Sequence, residues 1–197
     1  MKRWITIGFI GMAAVGVGGC NERSTTMAER KGIMKFKGTP LTLIGPALKV
    51  GDRAPDAKLV ANDGSEVSLS SYKGKVIILS AVQSLDTSVC DTQTRRFNEQ
   101  TAALGPDVIV VTVSMDLPPA QKRWCGASGL KNVVTLSDHR EAAFGQAYGV
   151  LIKEFRLDGR SVFVVDRQGV IRYIQILSEG TQEPDYDAAL KAAKALL

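Results

Sequence analysis

The stretch VIILSAVQSLDTSVC, residues 76–90, joins an apolar run to the start of a predicted helix. Residues 76–82 form a nearly continuous apolar run, which is typical of a strand buried on both faces. A helical pattern follows from Asp91, so Cys90 falls in the first helical turn, where free backbone N–H groups favour a negative charge. This position favours the thiolate, the reactive form of cysteine, and Thr87 can bring a hydroxyl close to the sulfur. The alternative is a small cysteine buried under a strand-to-helix turn.

The segments on either side of this stretch alternate between strand and helix patterns. Two upstream hairpins are predicted around Gly38 and around Asn62-Asp63-Gly64, with structure beginning near Met34. Downstream, the predicted elements are a helix to about Leu104, a strand at 108–113, a helix at 118–127, a strand at 133–136, a helix at 140–148, a hairpin at 162–176 and a helix at 185–197. This order predicts an α/β fold with a mixed central sheet.

Length and charge indicate one domain and argue against a nucleic-acid-binding protein. A chain of 197 residues, 45% of them hydrophobic, predicts one domain with one good core. The net charge is +5, but basic and acidic residues are interspersed, without a basic face or tail. No nucleic-acid partner is therefore expected.

The N-terminus has the layout of an export signal. A positively charged segment, MKR at residues 1–3, precedes an apolar run from Trp4 to Val17, which is short and glycine-rich for a membrane-spanning helix. The run ends in VGGC at residues 17–20, which resembles a bacterial lipobox. This resemblance implies cleavage before Cys20 and lipid attachment to its sulfur. An uncleaved anchor and an ordinary export signal are the alternatives.

These features predict three regions and a location. Residues 1–19 are a lipoprotein signal peptide, residues 20–33 a polar tether from lipidated Cys20, and residues 34–197 the folded domain. The folded domain is expected outside the cytoplasm, anchored by lipid to the periplasmic side of a bacterial membrane. Asn21 is compatible with the outer membrane.

If Cys20 carries lipid, the folded domain has two thiols, Cys90 and Cys125. Both lie near helices that follow central strands, so both are expected towards one end of the sheet. They form either a structural disulfide, which is common in exported proteins, or a nucleophile and its resolving partner. No Cys-x-x-Cys motif is present, and His139 is the only histidine, so neither a thioredoxin-type redox motif nor a metal site is expected. The sequence also suggests no cofactor.

Several longer motifs occur in an order that resembles the bacterial thiol peroxidases, the atypical two-cysteine peroxiredoxins. The motifs are FKGTP (36–40), SLDTSVC (84–90), DLPPAQKRWCGA (116–127), NVVTLSD (132–138), RSVFVVD (160–166) and EPDY (183–186). The resemblance runs from about Phe36 to Leu197 and implies a thioredoxin-like fold. In that fold helices flank a mixed central sheet, and a β-hairpin lies at the N-terminus.

The resemblance also implies a function and its residues. Cys90 matches the peroxidatic cysteine, Cys125 the resolving cysteine, Thr87 the active-site threonine and Arg160 the active-site arginine. The family reduces hydrogen peroxide and organic hydroperoxides through a sulfenic acid, which the second thiol converts to an intramolecular disulfide. The partners implied are a peroxide substrate, a thioredoxin-like reductant and a second copy of the chain in a homodimer.

One position departs from the family pattern. Gln83 stands where the family has a proline packed over the active cysteine. A polar, flexible side chain there either donates a hydrogen bond to the peroxide or admits water to the pocket. Two other functions remain open: a peroxide sensor or redox relay that uses the same sulfurs, and a non-catalytic lipoprotein in which Cys90 and Cys125 form a permanent disulfide.

Overall fold

The structure, a computed structural model, describes Met1 and residues 27–129 and 133–197. The described strands are β1 (Glu29–Phe36), β2 (Thr39–Ile44), β3 (Lys58–Val60), β4 (Glu66–Ser68), β5 (Val76–Ala81), β6 (Val108–Ser114), β7 (Val133–Ser137), β8 (Leu151–Ile152), β9 (Leu157–Asp158), β10 (Ser161–Val165) and β11 (Ile171–Ile176). The described α-helices are α1 (Ser88–Thr101), α2 (Pro118–Ser128), α3 (Ala143–Ala147) and α4 (Tyr186–Lys194). Apart from Met1, the predicted signal peptide lies outside the described residues, as does Cys20.

The larger sheet is mixed, as the sequence predicted. Its strand order is β11-β10-β5-β6-β7-β3-β4. Strands β5, β6 and β7 run parallel to one another, whereas β10 and β11 on one side and β3 and β4 on the other are antiparallel to their neighbours. A helix connects each pair of parallel strands, because parallel strands need a crossover connection.

Strand β5 lies inside this sheet and is buried along its whole length. Its residues alternate between two cores, as the strand period of two requires. Ile78 packs with Phe97 of α1 and Leu190 of α4, whereas Leu79 packs with Phe144 of α3 on the other face. Helices therefore cover both faces of the sheet and hold β5 rigidly.

A smaller antiparallel sheet has the order β1-β2-β8-β9. The predicted N-terminal hairpin is present, but β1 begins at Glu29 rather than near Met34. The last residues of the predicted tether are therefore part of the sheet, because backbone pairing of Glu29 with Ile44 orders a segment without apolar periodicity. Strands β8 and β9 were not predicted, since two-residue strands carry no periodicity.

The longest of the described α-helices, α1, has 14 residues. Among residues 27–129 and 133–197, no helix combines the length and the apolar character needed to cross a membrane.

Candidate active site

Cys90 lies in the first turn of α1, directly after the loop that leaves β5. The helix begins at Ser88, three residues before the predicted start at Asp91, and Thr87 caps it in an extended conformation. The Cys90 side chain is fully buried in a small cluster with Val82, Leu85 and the partly buried Trp124. A thiol at this position faces the positive end of the helix without contact with bulk water.

Arg160 brings a second source of positive charge to the sulfur. Its Nη2 lies 3.3 Å from Cys90 Sγ, although the two residues are far apart in the chain. Arg160 precedes β10, and Ser161 of β10 pairs with Ala81 at the end of β5. Antiparallel pairing of these strands thus places the start of β10 beside the loop that follows β5.

Arg160 is 1% exposed, and the other acceptors of its guanidinium are neutral. Nε donates to the Gly180 carbonyl at 2.9 Å, and Nη1 donates to Gln93 Oε1 at 2.6 Å. Nη2, the nitrogen that faces the sulfur, also lies 3.4 Å from Gln83 Oε1. No carboxylate among the described residues forms a salt bridge with Arg160. The sulfur of Cys90 therefore faces a buried positive charge that no described carboxylate neutralises, and this charge is placed to stabilise negative charge that develops on a reacting atom.

Thr87 is positioned differently from the expectation. Its hydroxyl donates to the Ser84 carbonyl at 3.0 Å, rather than to the sulfur of Cys90. This bond closes the loop before α1 and keeps Thr87 on the wall of the same cavity that Arg160 borders. The structure thus brings Cys90 and Arg160 into contact and places Thr87 at the cavity, where the hydroxyl oxygen is free to accept a hydrogen bond while its proton stays on the Ser84 carbonyl.

Asp116 holds the loop before Cys90 in place. Its carboxylate accepts from the Ser84 hydroxyl and from the Leu85 backbone N–H, both at 2.7 Å. Ser114 donates to the same carboxylate at 2.8 Å. Because Asp116 follows β6, neighbour of β5 in the sheet, this residue ties together the ends of the two strands that precede the cysteine-bearing helices.

A cavity of about 420 Å³ opens beside Arg160. Its wall is largely apolar, with Phe36 and Phe155 in edge-to-face contact at 5.8 Å between ring centroids, and with Val89 and Leu157 nearby. Gln83 and Thr87 supply polar atoms to the same wall. A small organic molecule with one polar end matches this lining in size and polarity.

Cys125 lies on α2 in different surroundings. Its side chain is partly exposed, and Sγ lies 3.2 Å from Thr135 Oγ1 and 3.8 Å from Asn62 Nδ2. Asn62 also donates to Thr135 at 2.9 Å. Both Cys90 and Cys125 are free thiols in this structure. Each sulfur must leave its own partners before the two can approach bonding distance.

Four side chains connect the helices that carry the two cysteines, and we call them the α1–α2 clasp: Asp91, Arg95, Trp124 and Ser128. Asp91 accepts from the Trp124 indole at 3.0 Å and from Arg95 Nε at 2.8 Å. Arg95 also donates to Ser128 at 2.9 Å and lies over the Trp124 ring. Since Asp91 follows Cys90 and Trp124 precedes Cys125 in the chain, the clasp holds the two thiols in their separate sites.

Several of these residues were not predicted from the sequence. Gln93 follows Cys90 by about one helical turn, and this spacing is the signal that could have placed it on the same face of α1 as Cys90, where its amide oxygen accepts from Arg160. Asn62 and Thr135 come from distant segments, so no spacing in the sequence joins them to Cys125. Asp116 belongs to a recognised motif, but nothing in the motif indicates that it binds the loop at Ser84.

Comparisons with known proteins agree with this geometry. Residues 49–190 match the Redoxin family model. The thiol peroxidase of Bacillus subtilis (strain 168) is 56% identical over 162 residues, which cover 82% of this chain and 96% of the relative. The thiol peroxidase of Oceanobacillus iheyensis is 57% identical over 155 residues, covering 79% of this chain and 94% of the relative.

A solved structure extends the likeness to three dimensions. The crystal structure of a peroxiredoxin-like protein from Aquifex aeolicus matches with a TM-score of 0.79 at 43% identity, covering 87% of this chain and 99% of that one. The fold, the thiol beside a buried arginine and these relatives lead to one conclusion. This chain belongs to the Redoxin family and, within it, to the bacterial thiol peroxidases, and it is an enzyme of the peroxiredoxin type.

Proposed function

We propose that the protein reduces hydrogen peroxide and organic hydroperoxides through a sulfenic acid on Cys90 and a Cys90–Cys125 disulfide. The observation that supports this most strongly is the 3.3 Å contact between Arg160 Nη2 and Cys90 Sγ, at a guanidinium without a carboxylate partner in the described chain. Such an arginine stabilises a thiolate and polarises an oxygen that approaches it.

The first chemical step joins sulfur to oxygen. The Cys90 thiolate attacks the terminal oxygen of ROOH, the S–O bond forms as the O–O bond breaks, and two electrons pass from sulfur to the peroxide. The leaving RO⁻ takes a proton from solvent and departs as ROH, while Cys90 becomes the sulfenic acid. Arg160 stabilises the charge on sulfur and on the reacting oxygens, and Thr87 offers its hydroxyl oxygen to the bound peroxide.

The second step needs movement of the helices. The Cys125 thiolate attacks the sulfenic sulfur, the S–O bond breaks, and the departing hydroxide gains a proton to become water. For this, Cys125 leaves Thr135 and Asn62, and the α1–α2 clasp opens by local unfolding around both cysteines. A dithiol reductant of the thioredoxin type then reduces the disulfide by thiol–disulfide exchange.

Mass spectrometry tests both steps. The reduced chain, purified in mild detergent, is mixed with a small excess of cumene hydroperoxide and quenched at intervals, and a Cys125→Ser variant is treated alike in the presence of dimedone. We expect rapid Cys90–Cys125 bridging in the unaltered chain and a dimedone adduct on Cys90 in the variant. Thiols that persist would contradict the proposal, and a bridge that is present from the start and does not react would contradict it in favour of a permanent structural disulfide.

A second measurement distinguishes an enzyme from a sensor or relay. Peroxide consumption is followed over many equivalents with an excess of a thioredoxin-type reductant. An enzyme consumes peroxide in proportion to the reductant supplied, whereas a sensor forms its disulfide quickly and then stops.

The proposed location is the periplasmic side of a bacterial membrane, with lipid on Cys20. The export layout of residues 1–19 and the lipobox-like VGGC support it. A Cys20→Ser variant is expected to move from the membrane fraction to the soluble fraction, and the N-terminal peptide of the unaltered chain is expected to carry the mass of a lipid-modified cysteine. A homodimer is proposed from the family likeness alone, and sedimentation of the purified chain tests it.

A further inference from the structure

Asp158, the last residue of β9, is a fully buried acid without a hydrogen-bond partner. The residue is 0% exposed, and neither carboxyl oxygen is bonded to any group among residues 27–129 and 133–197. An ionised carboxylate in this place has lost its hydration and gained nothing in return, which is among the costliest arrangements in a protein interior. A group of this kind calls for an explanation in function.

The carboxyl group of Asp158 is packed between α3 and β8. A Cβ atom added to Gly145 of α3 would overlap Asp158 Oδ1 and would meet Leu151 Cβ at 3.0 Å. Leu151 is also the residue of β8 that pairs with Asp158. The only residue that leaves room for this carboxyl group at position 145 is therefore glycine, and the acid lies directly against the backbone of α3.

The charges around Asp158 do not compensate it. Burial and the nearby charge of Asp138 both raise the pKa of Asp158. Asp138 itself accepts from two backbone N–H groups of α3, and the charge of Arg156 acts on Asp138. His139, next to Asp138 in the chain, contacts a serine hydroxyl through Nδ1. Elements α3, β6 and β8, which adjoin β9, contain no titratable side chain.

The strand that carries this acid is weakly held and leads directly to the active site. Strand β9 lies at the edge of the smaller sheet and pairs with β8 over only two residues. Phe155 and Leu157 of the same hairpin border the cavity, and Arg160 follows Asp158 by two residues. Opening of the β8–β9 hairpin would hydrate Asp158 and would also displace the cavity wall and the guanidinium that faces Cys90.

We propose that Asp158 is a pH-sensitive switch, which keeps the β8–β9 hairpin closed while it is protonated and opens it, with loss of Cys90 reactivity, when its proton passes to solvent. This inference rests on the proposed peroxidase function. The closed chain holds the proton at a pH where an exposed carboxyl group has released it, so the open form grows as the pH rises. Few hydrogen bonds oppose this opening, whereas an unpaired carboxylate in the interior is very unfavourable.

Three variants test the switch, each in the full chain with Cys125→Ser so that oxidation stops at the sulfenic acid. Asp158→Asn keeps the shape of the side chain but has no proton to release. Asp158→Leu removes the polar atoms and takes its place if the first variant does not fold. Asp166→Asn is the matched control, because Asp166 is also buried and follows the other end of β10, but its carboxylate accepts from two backbone N–H groups and from Arg172.

The first measurement is hydrogen exchange of peptides from residues 151–160, without peroxide, at pH 5 and pH 8. Labelling times are adjusted for the intrinsic dependence of exchange on pH. At pH 8 we expect these amides to exchange roughly three- to tenfold faster in the background chain than in Asp158→Asn, since release of one proton shifts such an equilibrium by at most tenfold per pH unit. At pH 5 we expect equal exchange.

The second measurement is the rate constant for oxidation of Cys90 by cumene hydroperoxide, with dimedone to trap the sulfenic acid. At each pH the rate constant of the variant is divided by that of the background chain, which cancels the titration of Cys90 itself. For Asp158→Asn we expect this ratio to rise by roughly three- to tenfold from pH 5 to pH 8. For Asp166→Asn we expect the same ratio at both pH values.

Other outcomes overturn the inference. Equal exchange at pH 8 in the background chain and in Asp158→Asn would show that the hairpin does not respond to this acid. A rate ratio that stays constant while the exchange differs would show that opening of the hairpin does not affect Cys90. If the background chain forms no sulfenic acid at either pH, the proposed function fails, and the exchange measurement still decides whether Asp158 controls the hairpin.

Discussion

The two thiols of the folded domain occupy opposite environments. Cys90 is fully buried, lies in the first turn of a helix and faces a guanidinium without a carboxylate partner among the described residues. Cys125 is partly exposed and faces a hydroxyl and an amide, both neutral. Under the proposed mechanism this difference suits the two thiols to different tasks: Cys90 attacks the peroxide beside a buried positive charge, and the more accessible Cys125 resolves the sulfenic acid.

The largest expected effect comes from exchanging the thiols one at a time. Cys90→Ser should lower peroxide reduction by roughly a thousandfold or more, because the attacking atom is lost. Cys125→Ser should leave the first oxidation of Cys90 nearly unchanged but stop turnover with the reductant. Quenched mass spectrometry and a steady-state peroxide assay measure the two quantities, and equal loss of the first oxidation in both variants would remove the distinction between the thiols.

Removing the charge from Arg160 should have the next largest effect. We expect Arg160→Met to slow oxidation of Cys90 by about a hundredfold, since the donor that faces sulfur and peroxide disappears. Arg96→Met is the control, because Arg96 lies on α1, the helix that carries Cys90, but pairs with Glu183 at an exposed site. Circular dichroism verifies folding, and an equal effect of both variants would indicate that net charge alone governs the rate.

The α1–α2 clasp gives a smaller effect, on the second step only. Asp91→Ala removes the acceptor for Trp124 and Arg95, so the helices should separate more readily. We expect formation of the disulfide from the sulfenic acid to accelerate about three- to tenfold, as the loss of one to two hydrogen bonds allows.

The matched control for the clasp is Glu183→Gln, which weakens an exposed ion pair of α1 outside the clasp. Rapid mixing with quenched mass spectrometry gives the rate of bridging in each variant. A clasp variant that bridges no faster than this control would show that another contact limits the movement of the helices.

The smallest expected effect is on thermal stability and concerns the buried carboxyl groups of Asp138 and Asp158. It tests whether burial or the presence of hydrogen-bond partners determines if a buried group is charged. Burial raises the pKa of Asp138 to about 6, and burial together with the nearby Asp138 charge raises the pKa of Asp158 well above its ordinary value of 3.8. The carboxyl group of Asp158 has no hydrogen-bond partner among the described residues, unlike the guanidinium of Arg160.

The sign of the pH dependence follows from these shifts. From about pH 4 upward, the carboxyl groups of unfolded Asp138 and Asp158 release their protons, whereas those of the folded chain keep them to about pH 6 or higher. The free energy of unfolding therefore falls as the pH rises through this range. Asp158→Asn cannot release a proton, so its melting temperature relative to the unaltered chain should rise between pH 5 and pH 8 by roughly 3–6 °C. Differential scanning calorimetry at both pH values measures this, and an unchanged difference would place the proton elsewhere.

Much of the fold was predictable because its central strands have strong patterns. Residues 76–82 and 108–113 are apolar except for Ser80 and Thr112, and the structure confirms both as largely buried parallel strands. The short strands β8 and β9 were missed, and the start of β1 was misplaced, because pairing with a distant strand rather than local pattern determines them.

The candidate site also has a part that local sequence predicts and a part that depends on distant pairing. The helix start at Cys90 is a local feature, and the motif around Arg160 is recognisable, so both residues could be predicted. Their 3.3 Å contact depends on the register between β5 and β10, which no single segment contains. The hydroxyl of Thr87 bonds within its own loop, a choice between nearby acceptors that the sequence does not determine.

The close approach of Gly180 to Gln83 has an evolutionary consequence. A methyl group at position 180 would meet Gln83 Nε2 at 2.7 Å and the ring of Phe36 at 3.2 Å. Gln83 cannot withdraw without losing its contact with Arg160 Nη2, and Arg160 in turn donates to the Gly180 carbonyl through Nε. Positions 83 and 180 are thus epistatic: an alanine at 180 becomes acceptable only in a lineage that first shortens or replaces the glutamine, and the order of the two mutations decides whether the path is open.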